Sequence, residues 1–158
     1  PETLLEGGSG SASRLPDMPP ELPEHAEAGT QNVCGICGLA AGLRFVLERT
    51  PEKLLAHETR LRRTFCEALR DTDGLQLFCG AAQGGTVSLR AADCGCQTFA
   101  AKLAERGICV RAGLHCAPLA HSSAGTLQTG TVRLSLSAFN TEQELLHTAA
   151  ACREILQD

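Results

Sequence analysis

A strictly alternating segment near the end of the chain constrains its fold most. In residues 131–139, the apolar Val132, Leu134, Leu136 and Ala138 occupy alternate positions, and the residues between them are polar. Successive side chains of a β-strand point to opposite faces, so this segment predicts a strand with one face in the core and one outside it. Such one-sided strands are typical of antiparallel sheets.

The segments around this strand predict the rest of the fold. Apolar spacings of three and four indicate helices, and short apolar runs bounded by turn residues indicate strands. The TEQE sequence at 141–144 is a capping box that begins a last helix. From residue 50 onward the order is α-β-β-α-β-β-α, which predicts a small α+β sandwich with a mostly antiparallel sheet. Helices are expected at 51–70 and 97–106, strands at 75–79, 86–90, 108–110 and 131–139, and a long loop at 111–130.

The first part of the chain has a different composition. Residues 1–30 hold five of the seven prolines and a GGSGS run at 7–11, which predicts an extended loop. Residues 31–49 combine apolar side chains at helical spacing with Gly and Ala, so we expect a small-sided helix that packs closely against another surface. We therefore place a domain boundary between residues 1–49 and 50–158.

Composition excludes several classes of function. A net charge of −4 without a basic cluster argues against nucleic-acid binding, and five Phe with no Trp or Tyr offer few stacking platforms. No apolar run is long enough for a membrane span. Nine cysteines, an odd number, without a secretory leader indicate mostly free thiols in the cytoplasm.

The loop at 111–121, RAGLHCAPLAH, is the strongest candidate for chemistry. Cys116 follows His115 and lies five residues after Arg111. Cationic neighbours favour the thiolate form of a cysteine, and the thiolate is the nucleophile. The alternative is a surface loop with an incidental cysteine, and residue types alone favour this alternative.

The remaining cysteines raise the alternative of a metal site. Cys34 and Cys37 form a C-x-x-C, Cys94 and Cys96 form a C-x-C, and zinc sites use such pairs together with histidines such as His121. However, Cys34 and Cys37 fall on the small-sided helix, where a cysteine behaves as a small hydrophobic residue. We therefore favour packing for this pair and expect no metal.

Arg133 and Thr30 each have a structural and a functional interpretation. Arg133 is the single arginine of the alternating strand, where it could bind a carboxylate through two parallel bonds or be an ordinary exposed charge. Thr30 precedes a helix, where it could cap that helix or donate to a phosphate. On residue types alone, the exposed charge and the cap are favoured.

Together these pieces resemble one family. RAGLHCAPLAH at 111–121, GTVRLS at 130–135 and FNTE at 139–142 resemble the C-terminal part of class-V aminotransferase-like cysteine desulfurases, in the branch related to selenocysteine lyases. EAGTQNV at 27–33 is similar to another element of the family, and GGSGS to the loop before it. The resemblance covers essentially the whole chain.

The resemblance implies an α/β protein of fold-type I that depends on pyridoxal 5′-phosphate and forms a homodimer of longer chains. It implies that Cys116 takes sulfur from L-cysteine as a persulfide and that a sulfur-acceptor protein is a partner. Arg133 would hold the substrate carboxylate, and Arg111 and His115 would also line the substrate site. Thr30 would reach the cofactor phosphate of the neighbouring subunit. Residues 1–49 would end the large domain, and residues 50–158 would form the small domain.

One element of the family pattern does not match. The family's Schiff-base lysine lies in a Ser-x-His-Lys element, whereas Lys53 and Lys102 are the two lysines here and neither has that context. We therefore expect a fragment that cannot hold the cofactor covalently by itself. Three alternatives stay open: a selenocysteine lyase or another class-V enzyme, a sulfur-relay module without the cofactor half, and a metal-binding domain.

Overall fold

The structure is a computed structural model that describes residues 2–8, 10–12, 14–80 and 82–157. Contacts divide the chain into two compact units, Pro1–Glu48 and Arg49–Asp158. The assignment of these units to a large and a small domain stays a prediction. Ser9, in the GGSGS run, lies outside the described residues.

The first unit contains a short 3₁₀ turn, Glu24–Ala26, and all but the last residue of a long helix, α1, Val33–Arg49. The expectation of a loop without helical structure at 1–30 is therefore wrong at this turn. The backbone N–H of Gly29 also donates to the carbonyl of Gly8, at 2.8 Å. Asn32 caps α1, because its Oδ1 accepts from the N–H of Gly35 at 2.9 Å. Asn32 thus performs the capping that was weighed for Thr30.

Helix α1 is confirmed as a helix, but the close packing expected of it is not seen in the described residues. None of its side chains is buried. Ile36 is 58% exposed and Leu47 is 74% exposed. Cys34 and Cys37 are exposed as well, so the structure does not show the packed environment that we predicted for them.

The second unit begins with helix α2, Pro51–Ala68. Its start is capped, since Pro51 occupies the first turn and the hydroxyl of Thr50 accepts from the N–H of Lys53 at 3.4 Å. Proline fits there because the first-turn N–H groups have no helical partner. Leu61 and Phe65 on one face of α2 are fully buried, as their helical spacing predicted.

Four short strands form the predicted antiparallel sheet. They are β1 (Leu75–Phe78), β2 (Thr86–Ala91), β3 (Arg111–Gly113) and β4 (Thr131–Ser135), in the order β1-β2-β4-β3. Each neighbouring pair runs antiparallel. Strand β4 therefore lies inside the sheet, between β2 and β3.

One face of the sheet carries the hydrophobic core. Helix α2, helix α3 (Cys96–Glu105) and helix α5 (Glu142–Gln157) cover it. The largest apolar side chains of this core are fully buried, namely Leu61, Phe65, Leu69, Val87, Leu89, Phe99, Leu103 and Val132. Arg133, between the buried Val132 and Leu134, points to the other face. One face of the sheet thus packs in the core, and the other face carries Arg133.

The expected strand at 108–110 is wrong, because these residues end helix α3 instead. Gly107, at φ +75°, donates its N–H to the carbonyl of Ala104, and Ile108 donates to that of Leu103. This pair of bonds is a Schellman cap. The strand begins three residues later, at Arg111, and pairs with β4.

Two further boundaries differ from expectation. The loop at 111–130 contains a short helix, α4, Pro118–Ser123, in addition to β3. Strand β4 ends at Ser135 rather than at Phe139, because Asn140 accepts the N–H of Ser137 in a turn, at 2.9 Å. The turn leads directly into α5.

The predicted capping box begins α5. The N–H of Thr141 donates to Glu144 Oε2 at 2.7 Å, and the N–H of Glu144 donates to the Thr141 hydroxyl at 3.3 Å.

We expect Thr141→Ala to lower the free energy of unfolding by about 1 kcal/mol, because one helix N–H loses its partner. Urea denaturation would measure this. Thr98→Ala, at an exposed position of α3, is the control, and an equal loss in both variants would contradict the prediction.

Candidate active site

The face of the sheet opposite the core carries two arginines side by side. Arg111 on β3 and Arg133 on β4 are directly opposed in the strand register. Directly opposed residues on antiparallel strands have their Cβ atoms about 5 Å apart, and like charges placed so destabilise a sheet. An anion bound between them would remove that repulsion. The pair is therefore suited to a carboxylate.

Arg133 has unused hydrogen-bonding capacity. Its Nε is buried and has no hydrogen-bond partner among the described residues. A buried donor without a partner is costly, and it calls for a ligand or water. A carboxylate can accept from the Nε and a terminal nitrogen of one guanidinium together. This observation favours the binding role of Arg133 over an ordinary exposed charge.

Cys116 lies in a tight turn directly after β3. The N–H of Ala117 donates to the carbonyl of Leu114 at 2.9 Å, which closes the turn. His115 and Cys116 have φ values of +52° and +59°. Two consecutive positive φ values are typical of a type I′ turn and are unfavourable for residues other than Gly, Asn and Asp. Such strained residues cluster at functional sites.

The turn brings the Cys116 thiol to the arginine pair. Arg111 Nη2 donates to Cys116 Sγ at 3.9 Å. Cys116 is exposed, so its sulfur can be reached from solvent. The sulfur is therefore accessible and lies beside a guanidinium.

His115 contributes differently from what the sequence suggested. Burial lowers the pKa of His115, and the charges of Arg133, His121 and Arg111 lower it further. The ring is therefore neutral near pH 7, and the cation beside Cys116 is Arg111 alone. The expectation that His115 adds positive charge to the thiol is wrong for this reason. A neutral imidazole can instead accept or donate a proton.

The ring of His115 is held from β4. Its Nε2 lies 3.1 Å from the Thr131 hydroxyl, while its Nδ1 is buried without a partner among the described residues. The ring of His121 stands 5.6 Å away, centroid to centroid. His115 Nδ1 is therefore a buried polar atom whose hydrogen bond the described residues do not supply.

Sequence reasoning missed the support that α4 gives to this turn. His121 is buried, and its Nδ1 lies 2.8 Å from the hydroxyl of Thr126, which is buried too. The N–H of Thr126 also donates to the carbonyl of His121 at 2.8 Å. These bonds close α4 over the sheet next to Thr131. The Pro118 that begins α4 was a usable signal, because proline is enriched at the first helical position.

The remaining candidate residues belong to other elements of the chain. Thr30 is an exposed residue of the first unit, Lys53 is exposed on α2, and Lys102 lies on α3. Among the described residues, no three His, Cys, Asp or Glu side chains form a group that could hold a metal ion. Cys94 and Cys96 are partly buried at the start of α3.

Comparison with known proteins identifies the family. Residues 7–147 match the family model described as Aminotransferase class-V. The chain belongs to the class-V aminotransferase family. Family membership confirms the resemblance that the motifs around Cys116 and Arg133 had indicated.

Two proteins that are similar in sequence to this chain are described as cysteine desulfurases. A probable cysteine desulfurase of Xylella fastidiosa strain 9a5c is 32% identical over 134 residues, which are 84% of this chain and 32% of that protein. A cysteine desulfurase of Klebsiella pneumoniae strain 342 is 33% identical over 134 residues, again 84% of this chain and 32% of that protein. The chain thus spans about a third of the length of these relatives.

Solved structures confirm the fold class. The apo cysteine desulfurase of Thermococcus onnurineus has a TM-score of 0.75 and 29% identity, over 85% of this chain and 34% of that one. A cysteine desulfurase of Escherichia coli, described with an S-sulfonic acid, has a TM-score of 0.74 and 28% identity, over 85% and 33%. The α/β fold expected for a fold-type I protein is therefore present over the part that this chain spans.

Proposed function

We propose that this chain is the substrate-binding and sulfur-accepting part of a pyridoxal-phosphate-dependent cysteine desulfurase. The full-length protein would convert L-cysteine to alanine and leave a persulfide on Cys116. One observation carries the proposal: an exposed thiol lies 3.9 Å from Arg111, and Arg111 is directly opposite Arg133, whose buried Nε has no partner among the described residues. A substrate amino acid needs both a carboxylate site and a nearby nucleophile, and this cluster supplies both.

The residues of this chain suit the substrate end of the site. Arg133 would bind the carboxylate of L-cysteine, and Arg111 would stand between that carboxylate and the thiol. Pyridoxal phosphate would supply an electron sink at the substrate's α-carbon. Thr30 would contribute a hydroxyl to the cofactor phosphate of the neighbouring subunit in a homodimer. The side chains near Cys116 fit a substrate and not the covalent attachment of the cofactor, since neither lysine belongs to that cluster.

The sulfur step would be a nucleophilic displacement. Cys116 Sγ attacks the sulfur of the substrate, a new S–S bond forms, and the C–S bond of the substrate breaks. The electron pair of that bond goes to the substrate carbon, which takes a proton and becomes the methyl group of alanine. His115 precedes Cys116 in the turn and, as a neutral ring, would hold a proton during this step.

The direct test is to locate the transferred sulfur. Trypsin cleaves after Arg111 and Arg133, and the peptide 112–133 contains Cys116 as its single cysteine. After the full-length protein is mixed with L-cysteine, we expect mass spectrometry to find one added sulfur on this peptide and alanine in the solution. A persulfide confined to another cysteine would refute the assignment of Cys116. The same assay with L-selenocysteine would identify a selenocysteine lyase.

The isolated chain is expected not to retain pyridoxal phosphate covalently. Lys53 is exposed on α2, and Lys102 on α3 lines a pocket with Asp73 and Asp93. After mixing with the cofactor and dialysis, residues 1–158 should show no cofactor absorption band. The full-length protein, treated identically, is the positive control. A band that survives dialysis and disappears in Lys102→Ala or Lys53→Ala would contradict this expectation.

The acceptor protein and the cellular location of the proposed enzyme are the last points of the proposal. An exposed Cys116 could pass its sulfur to an acceptor protein, which we include in the proposal. No helix of the described residues is long and apolar enough to cross a bilayer. The location in the cytoplasm, inferred from the cysteine content, stays a prediction.

A further inference from the structure

We propose that Cys66 and Cys79 form a site of reversible thiol oxidation, where a peroxide converts the two thiols into a disulfide that joins α2 to the end of β1. The Sγ of Cys66 donates a hydrogen bond to the Sγ of Cys79 at 3.4 Å. Both are free thiols in the structure. The pair has no part in the proposed desulfurase reaction, so this inference stands independently of it.

The position of the two sulfurs favours bond formation. A disulfide has an S–S distance of about 2.05 Å, so the sulfurs must approach by roughly 1.4 Å. A change of side-chain torsion angles can supply much of that movement. The two cysteines are thirteen residues apart, which makes the contact a link between two elements rather than a feature of one helix.

A second contact holds the same segment against α2. Arg62, only 5% exposed, donates from Nη1 to the carbonyl of Gly80 at 2.8 Å. Arg62 and Cys66 are four residues apart and therefore lie on the same face of the helix. The residues after β1 are thus fixed at two neighbouring points, and the sulfurs are already positioned before oxidation.

The two thiols have different environments, which assigns them different roles. Burial raises the pKa of Cys66 to about 12, and the hydrogen bond and charge of Cys79 and the charge of Glu67 act in the same direction, whereas Arg62 lowers it. Cys66 is therefore protonated at neutral pH. Cys79 is exposed and is the sulfur that an oxidant from solvent reaches first.

The reaction balances with hydrogen peroxide as oxidant. The Cys79 sulfur attacks one peroxide oxygen, the O–O bond breaks, and a sulfenic acid and one water form. The Cys66 sulfur then attacks the Cys79 sulfur, and the S–O bond breaks. The departing hydroxide takes the Cys66 proton and leaves as a second water. A small dithiol restores both thiols by exchange.

Peptide mapping tests the proposal on the chain itself. The chain would be treated with hydrogen peroxide, its remaining thiols blocked with N-ethylmaleimide, and the product digested with trypsin. Cleavage after Arg63, Arg70 and Arg90 places Cys66 in peptide 64–70 and Cys79 in peptide 71–90. We expect these two peptides to be joined, and to separate after dithiothreitol.

Variants distinguish this pair from general oxidation. Cys79→Ser changes an exposed residue and should abolish the joined peptides, whereas Cys109→Ser, which removes another exposed thiol, should leave them unchanged. The oxidised chain should also melt higher by on the order of 5–10 °C, because the closed loop restricts the unfolded chain. That rise should vanish in Cys79→Ser.

Two results would overturn the proposal. One is Cys79 recovered as a sulfinic acid in peptide 71–90 with no joined peptides. The other is a set of disulfides in which Cys66 and Cys79 pair with other cysteines as often as with each other.

Discussion

Replacing Cys116 with serine is expected to reduce sulfur release from L-cysteine by the full-length protein at least a thousand-fold. A hydroxyl is a far weaker nucleophile than a thiolate, and removal of a nucleophile costs on the order of 10³-fold or more in rate. Cys116 is the thiol that Arg111 contacts, at 3.9 Å. Sulfide and alanine production, measured together, would report the loss.

The same variant should keep its cofactor. Cys116 is exposed in a turn, so serine should not disturb the fold, and the cofactor absorption spectrum should remain. Cys109→Ser is the matched control, because Cys109 is another exposed cysteine, located before β3, and should keep full activity. If Cys116→Ser released sulfur at the normal rate, the proposed role of this residue would have to be abandoned.

Replacing Arg133 with alanine is expected to raise the apparent KM for L-cysteine about ten- to a hundred-fold. Hydrogen bonds to charged groups contribute about 1.5–3 kcal/mol, and each 1.4 kcal/mol is a factor of ten. The Nε of Arg133, which has no partner in the part of the chain that the structure describes, is the donor that a carboxylate would engage. Initial rates across a range of cysteine concentrations would measure the change.

Two comparisons sharpen that test. Arg133→Lys retains the charge but not the planar pair of donors, so it should restore the KM only in part. Arg63→Ala removes an exposed arginine from α2 and should leave the KM unchanged. A KM that is insensitive to Arg133→Ala would mean that the carboxylate is bound elsewhere.

The elements that were predicted correctly are those whose sequence pattern directly reflects the packing or the capping that stabilises them. Strand β4 alternates because one face lies on the core, and α5 begins at a capping box that its own side chains complete. The strand expected at 108–110 failed because an apolar run also suits the exit from a helix. There, the Schellman bonds of Gly107 and Ile108 decide the structure, and apolar periodicity does not encode them.

The candidate site likewise contains residues that the sequence revealed and contacts that only the folded chain creates. Arg111, His115 and Cys116 are close in sequence, so a single loop motif revealed them together. The opposition of Arg111 and Arg133 depends on strand register, which is a long-range property. The bond between His121 and Thr126 depends on a six-residue helix, which is too short for apolar periodicity to reveal, although Pro118 marks its start. The neutral state of His115 follows from burial and from arginines that are brought near only by folding.

The left-handed backbone at His115 and Cys116 has a consequence for engineering. Positive φ values of this kind cost about 1–3 kcal/mol each outside glycine, whereas Asn-Gly is the pair that suits such a turn. A stabilisation campaign guided by turn preferences would therefore select these two positions early. It would gain thermal tolerance there by exchanging the imidazole and the sulfur for residues that cannot carry out the chemistry, so a screen for melting temperature alone would reward inactive variants.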